Sequence, residues 1–189
     1  MTRKSYAAAL DEVLQPVGFE REGKWWSRTV GGVLEQVDLQ TSSIAGTTSN
    51  FWSKDLETER ILKGIECETP LHIIQFGMRV GRLIDGYDRW WRNDPNGPTQ
   101  LAKAVQVHGL PWFDQVRSLE DQAKWYGRGG GQPWRTANLP ALAVTLFRLG
   151  ALEEALVLFD APEPRTAIPS LVVSGRCVQR WLEGQKPDT

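Results

Sequence analysis

Cysteine and histidine are scarce in this sequence, which has two of each in 189 residues. Cys67 and Cys177 lie far apart and have no histidines at ligand spacing, so neither a disulfide framework nor a zinc site is supported. We therefore predict two free thiols, no metal and no cofactor. Cys67 also lies between Glu66 and Glu68, whose negative charges disfavour a thiolate nucleophile.

Long apolar runs and an excess of one charge are also missing. No stretch approaches the roughly 18 apolar residues that a membrane span needs. The 22 basic and 23 acidic side chains leave a formal net charge of -1, which argues against nucleic acid or anionic lipid as the main partner. The sequence therefore predicts a cytoplasmic protein without a membrane segment. A hydrophobic content of 41% is ordinary for a folded globular chain.

The first half of the chain combines one helix with several strands. Apolar residues at spacings of three and four predict a helix over residues 5 to 17, which Pro16 and Gly18 end. From Phe19 to Thr41 the apolar period changes to two, which indicates strands. Gly31 and Gly32 interrupt this alternation and predict a tight hairpin, since glycine supplies the positive φ of such turns.

The middle of the chain is predicted to change from strands to helices. Residues 42 to 50 are expected to form a loop, and Asn50 to Leu56 a strand. Alternating apolar residues predict a further strand over Leu71 to Ile84. We expect Thr99 to cap a helix that extends to about Val107, and another helix over about Trp112 to Trp125.

The last third of the sequence is predicted to be wholly helical. The glycine run at 127 to 133 lacks the Gly-Lys-Ser/Thr ending of a phosphate loop, so a linker is favoured. Helices are expected over 139 to 148, 153 to 159 and about 170 to 182. A single helical hairpin near 139 to 160 resembles a tetratricopeptide unit at Leu142, Ala143, Leu146, Gly150, Ala155 and Phe159.

Together these patterns predict an α+β protein. Its first domain, residues 1 to 126, has an antiparallel sheet of four or five strands that ends near Ile84, with an N-terminal helix and C-terminal helices. The linker at 127 to 133 leads to an all-helical appendage over 134 to 189.

Candidate catalytic residues are few. His72 lies on a predicted strand and His108 at a helix end, and neither has a nucleophile or carboxylate at a known catalytic spacing. We therefore predict no enzymatic turnover. The alternative is a hydrolase or nuclease-like site assembled in space around His72 or His108.

The segment from residue 79 to residue 92 is the strongest candidate for binding. It holds four arginines, two aspartates and two adjacent tryptophans, side chains that anchor interfaces or stack on bases. The purely structural alternative is that one tryptophan lies in the core while Arg89 and Arg92 pair with Asp85 and Asp88. The predicted partner-binding residues are Arg79, Arg82, Arg89, Trp90, Trp91 and Arg92.

Four stretches of the sequence resemble a known family. They are residues 14 to 28 (LQPVGFEREGKWWSR), 39 to 42 (LQTS), 79 to 83 (RVGRL) and 88 to 91 (DRWW). The chain resembles the bacterial domain-of-unknown-function 4304 family over about residues 5 to 120. The resemblance implies an α+β domain with an antiparallel sheet, and it implies no reaction, cofactor or catalytic residue.

The sequence thus predicts a non-enzymatic bacterial binding module that engages a protein partner, with an immunity-type or regulatory role. Nucleic acid is a second, less favoured partner, because Asp85 and Asp88 weaken the basic character of the segment.

Overall fold

A computed structural model describes residues 3–68, 71, 76–92, 95–127, 135–160 and 169–186. The fold is α+β, as predicted. Five strands form one antiparallel sheet in the order β1-β2-β3-β4-β5, with bounds β1 Glu20–Glu22, β2 Trp25–Val30, β3 Val33–Ser42, β4 Gly46–Asp55 and β5 Phe76–Arg79.

Nine helices surround or follow these strands within the described ranges. The helices are α1 Arg3–Leu14, α2 Leu56–Gly64, α3 Val80–Asp85, α4 Gly97–Ala104, α5 Leu110–Asp114, α6 Leu119–Gly127, α7 Arg135–Arg148, α8 Leu152–Val157 and α9 Pro169–Glu183. A wider π-helical turn, Val105–Gly109, joins α4 to α5.

The chain divides into two compact units. Unit 1 comprises residues 1–54 and 75–117, and unit 2 comprises residues 55–74 and 118–189. These boundaries differ from the predicted domains, because the segment with α2 groups with the C-terminal helices. Most of the predicted linker, residues 128 to 133, lies outside the described residues.

The core of unit 1 lies on one face of the sheet. Phe51 of β4 packs edge-on against Phe113 of α5 at a ring distance of 5.6 Å, and Phe19 lies 5.9 Å from Phe113. Trp26 of β2 is fully buried and donates its indole N–H to Asp11 of α1 at 2.7 Å. Helices α1 and α5 therefore cover this face, and the opposite face carries polar side chains together with the half-buried Trp25 and Trp52.

The predicted hairpin is confirmed. Gly31 and Gly32 have φ angles of 57° and 82°, and β2 pairs with β3 in antiparallel register from Trp25 opposite Asp38 to Val30 opposite Val33. The first helix was predicted to extend to residue 17, but α1 ends at Leu14. A 3-10 turn, Gln15–Val17, follows it, and Gly18 with a left-handed φ of 87° ends the helical stretch as predicted.

Several predicted boundaries were wrong. Strand β4 begins at Gly46, inside the predicted loop, because threonine and serine tolerate strands although their polarity suggested a loop. The predicted strand 71 to 84 ends at Arg79, where the chain enters α3, and residues 72 to 75 lie outside the described ranges. Alternation alone did not reveal that Gly86 ends a helix with a left-handed φ of 84°.

The helices after the sheet also begin elsewhere than predicted. Helix α4 begins at Gly97 with Pro98 in its first turn, so Thr99 is not its cap. The single helix predicted from about Trp112 to Trp125 is two helices. Ser118 accepts a hydrogen bond from the backbone N–H of Asp121 at 3.1 Å and starts the second one.

Unit 2 is organised around α7, which contacts α2, α6, α8 and α9. Asp55 caps α2 by accepting the Thr58 backbone N–H at 2.6 Å, and it also accepts a hydrogen bond from Arg148 of α7. Arg148 donates to the Thr58 hydroxyl at 2.8 Å as well. Burial, together with the charge of Asp55, raises the pKa of Tyr126.

The prediction of two free thiols was wrong. Cys67, just after α2, and Cys177 on α9 form a disulfide with their Cα atoms 5.7 Å apart. The two residues are 110 positions apart, so sequence spacing gave no sign of the pairing. The bond lies entirely within unit 2 and ties the chain after α2 to the last described helix.

Candidate binding surface

A row of mainly polar residues crosses the sheet on the face opposite the Phe51 core. The strand register places Glu22 of β1 opposite Trp25 of β2, Trp25 opposite Asp38 of β3, and Asn50 of β4 opposite Arg79 of β5. The Asn50 side-chain amide completes the row by donating to Asp38 at 2.6 Å. All five strands therefore contribute one side chain each.

Asp38 is the most buried acid of this row, with 7% of its surface exposed. Burial raises its pKa, and this effect exceeds the opposing influence of two hydrogen bonds from Asn50 and the charges of Lys24 and Arg79. The ionised Asp38 side chain is therefore less favourable in the folded chain than in water, and its burial lowers the stability of the fold at neutral pH.

Arg79 joins the sheet face to the segment that follows it. Its guanidinium donates to Asn50 at 3.2 Å, to Gln40 at 3.1 Å and to Asp88 at 2.6 Å. The same guanidinium carbon lies 5.0 Å from the centre of the Trp90 ring, a cation–π distance. Arg79 is therefore fixed from four sides, and Trp90 is held half-buried beneath it.

The loop from Gly86 to Arg92 is fixed at its first end by ion pairs and close packing. Arg82 donates to Asp88 at 2.8 Å and Arg89 donates to Asp85 at 2.6 Å. A Cβ atom on Gly81 would lie 2.6 Å from the Arg89 Cβ, so the loop backbone folds directly over this glycine. Only a residue without a side chain permits that approach.

The other end of the loop is attached to β4 and α1. Trp91 and Thr47 exchange two backbone hydrogen bonds of 2.8 Å each. The hydroxyl of Tyr6 donates to the Arg92 carbonyl at 2.6 Å. The Trp91 side chain is 7% exposed and belongs to the core of unit 1.

Tyr87 stands at the outer side of this fixed loop with 77% of its surface exposed. Its backbone N–H donates to Asp85 at 3.2 Å, and Asp85 in turn pairs with Arg89. The side chains of Arg89 and the nearby Arg82 are 48% and 51% exposed. We call Arg79, Arg82, Tyr87, Arg89 and Trp90 the Tyr87 surface. It combines rigid aromatic groups with planar cations, the composition of interface anchors.

The structure brings most of the predicted partner-binding residues together. Arg79, Arg82 and Arg89 are linked through the two aspartates, and Trp90 lies against Arg79. Arg92 is exposed, and its side chain makes no hydrogen bond or ion pair with a described residue, so it does not pair with Asp88.

Sequence reasoning missed Tyr87 and the residues of β3 and β4 that surround Arg79. Tyr87 lies inside the predicted segment, and its position between Gly86 and Asp88 in a turn was a usable signal. Asp38, Gln40 and Asn50 meet Arg79 only through the strand register, which the sequence did not define.

The alternative enzyme hypothesis rests on His72 and His108. His72 lies outside the described residues. His108 is half-buried in the π-helical turn, and its imidazole ring makes no hydrogen bond to any residue that the structure describes. Within the same residues no group of three histidine, cysteine or acidic side chains could hold a metal ion, and no helix is long and apolar enough to cross a bilayer.

Comparison with known proteins gives one match. A family model described as Domain of unknown function (DUF4304) matches residues 10–115, more than half of the chain and all five strands. No curated protein and no solved structure is significantly similar to the chain.

Proposed function

Because the chain belongs to the DUF4304 family, whose description assigns no activity, we propose a function from the geometry of unit 1. The chain is a non-enzymatic binding module that engages a protein partner through the Tyr87 surface. The observation that carries this proposal is a 77% exposed tyrosine on a loop that is fixed at both ends.

A fixed loop favours binding because its ordering cost is met during folding. Association usually costs free energy to immobilise loops and side chains, and a loop that is already ordered avoids much of that cost. The contacts of Gly81, Asp88 and Trp91 order this loop in the free chain. An exposed aromatic ring gains little within the chain, whereas in a partner's pocket it would be buried.

The charges of the segment define the partner. Four arginines and two aspartates leave residues 79 to 92 with an excess of two positive charges. Arg82 and Arg89 are about half exposed, so their guanidinium groups can still donate hydrogen bonds to a second carboxylate. An acidic protein surface with an apolar pocket for Tyr87 is therefore the favoured partner. The Tyr87 surface therefore suits an immunity-type or regulatory protein, which acts by covering the surface of its partner.

The proposal also includes the cytoplasmic location predicted from the sequence. The Cys67–Cys177 bond argues against this location, because disulfides are rare in reducing compartments. Alkylating free thiols in intact cells before lysis tests it. A cytoplasmic protein is expected to carry two alkylated cysteines. A bond that survives this trapping would instead assign the protein to an oxidising compartment.

The binding proposal is tested by affinity capture from native cell extract with a triple variant, Arg82→Ala, Tyr87→Ala and Arg89→Ala. Trp91 is left unchanged because it is a core residue. Hot-spot residues cost about 2 kcal/mol or more each, which corresponds to roughly 30-fold in affinity. We therefore expect the variant to lose its partner while its melting temperature changes little.

Arg60→Ala is the matched control. Arg60 is also an exposed arginine in an ion pair, with Glu57 on α2, but it lies in unit 2. The Arg60→Ala variant should capture the same protein as the original chain. Equal recovery by the triple variant would refute the Tyr87 surface as the site. Recovery of nucleic acid that salt removes would favour the second partner class.

A further inference from the structure

A pocket in unit 1 lies on the opposite sheet face from the polar row and contains residues that the Tyr87 surface does not use. Its volume is about 440 Å³, and its walls include Val17, Val30, Leu110 and Pro111. Arg28 and Arg117 line it as well. Sites for small ligands have volumes of about 300–1,000 Å³, so this pocket suits a small molecule or one terminal side chain.

The charge of the pocket comes from a buried ion-pair cluster. Glu35 of β3 has a side chain that is 1% exposed, and it accepts hydrogen bonds from Arg28 at 2.7 Å and from Arg117 at 2.7 Å and 3.0 Å. The two guanidinium groups share this one buried carboxylate, and Asp114, which also lines the pocket, brings the formal charge of the four groups to zero. Asp114, which accepts from Arg117 at 2.7 Å, is 68% exposed, so water screens its charge.

Arg28 has hydrogen-bonding capacity left over. Its Nε donates to Glu35 and its Nη1 donates to the Val17 carbonyl at 2.6 Å, while the guanidinium lies over the Phe19 ring at 4.5 Å. Within the described part of the chain, Nη2 donates no hydrogen bond. A guanidinium held on three sides and lining a pocket is a preorganised donor for an anion.

We propose that this pocket binds a monocarboxylate that carries a short branched apolar group. The carboxylate would accept hydrogen bonds from Arg28, and the apolar group would contact Val17, Val30 and Leu110. Gln106 also lines the pocket and offers an amide donor to the second carboxylate oxygen. The site is independent of the Tyr87 surface, so either proposal can fail alone.

The carboxylate could belong to a free acid or to the carboxy terminus of a peptide. Two matched pairs of probes separate these sources in NMR titrations of the full chain. 4-Methylpentanoate and its primary amide represent the free acid. N-acetylleucine and N-acetylleucinamide represent a peptide terminus. We expect at least one acid to bind with saturation below about 20 mM, and its amide to bind at least about tenfold more weakly.

Two valine substitutions provide the structural control. Val17→Glu and Val107→Glu make the same change at positions that are 41% and 51% exposed, and only Val17 lines the pocket. Val17→Glu should weaken binding of the acid at least about tenfold by charge repulsion, and Val107→Glu should leave it unchanged.

Three outcomes would overturn the proposal. The first is that neither acid saturates any resonance, and the second is that an amide binds as tightly as its acid. The third is that both valine variants have the same effect. Binding by both acids would support a general carboxylate site, whereas binding by N-acetylleucine alone would support a peptide carboxy terminus as the ligand.

Discussion

Replacing Glu35 with glutamine tests the energetic importance of the buried ion-pair cluster. The substitution keeps the shape of the side chain and removes its charge, so Arg28 and Arg117 lose the carboxylate between them. Burial lowers the pKa of Arg117, but the hydrogen bonds and charges of Glu35 and Asp114 outweigh this effect and raise the pKa overall. Arginine keeps its proton at neutral pH, so both guanidinium groups stay charged after Glu35 is neutralised.

The expected loss follows from the exposure of the three side chains. Removing one partner of a fully buried ion pair costs about 3–5 kcal/mol, because the other charge is left in a poorly solvated place. Glu35 is 1% exposed, but Arg28 and Arg117 are 18% and 29% exposed and retain some water. We therefore expect Glu35→Gln to lower the free energy of unfolding by about 3 kcal/mol, the low end of that range.

Urea unfolding followed by circular dichroism measures this loss. The slope of the unfolding free energy against urea concentration should stay unchanged. Glu57→Gln is the control, since the Glu57–Arg60 pair is exposed and its removal should have no measurable effect. A loss below about 1 kcal/mol for Glu35→Gln would refute the reasoning, because it would mean that water solvates both arginines in the folded state.

Three further changes give distinct results. Reducing the Cys67–Cys177 bond should lower the melting temperature, since a cross-link across 110 residues contributes up to about 4–5 kcal/mol; equal melting curves with and without reductant would contradict this. Burial raises the pKa of Asp38 above its ordinary value of 3.8, so its contribution to stability falls as pH rises from 3.8 through the raised pKa. Asp38→Asn should therefore gain stability relative to the original chain between about pH 4 and pH 7, and urea midpoints at both pH values test this. Gly81→Ala should destabilise unit 1 by steric conflict with the Tyr87 loop, whereas Gly64→Ala has open space; calorimetry of both variants tests the contrast.

The sequence predicted the parts of the fold that depend on local conformation. Gly31 and Gly32 were recognisable because a two-residue hairpin needs positive φ at both positions. The helix over residues 3 to 14 was recognisable from its apolar spacing and from Pro16 after it. The transition from β5 to α3 was not, because Val80 continues the apolar alternation although its backbone is already helical.

The candidate surface was predicted as a segment but not as an arrangement. The composition of residues 79 to 92 identified the arginines and Trp90 from the sequence alone. Their connection to Asp38 and Asn50 depends on which residues of three different strands lie side by side. Cys67 and Cys177 illustrate the same limit, since their proximity is a property of the packing of unit 2.

The position of α2 has a consequence for how the protein is made. Helix α2 is synthesised early, but α7, which it contacts, and α9, which carries Cys177, lie about 80 to 120 residues later in the chain. Leu62 and Thr58 of α2 are both buried in the folded protein. During translation they remain without α7, the helix that α2 contacts, until β5 and α3 to α6 have been synthesised. A nascent chain of this length that exposes an apolar helix face is prone to aggregation and is a substrate for chaperones. The family match at residues 10–115 therefore includes α2 without α7, the helix of unit 2 that α2 contacts.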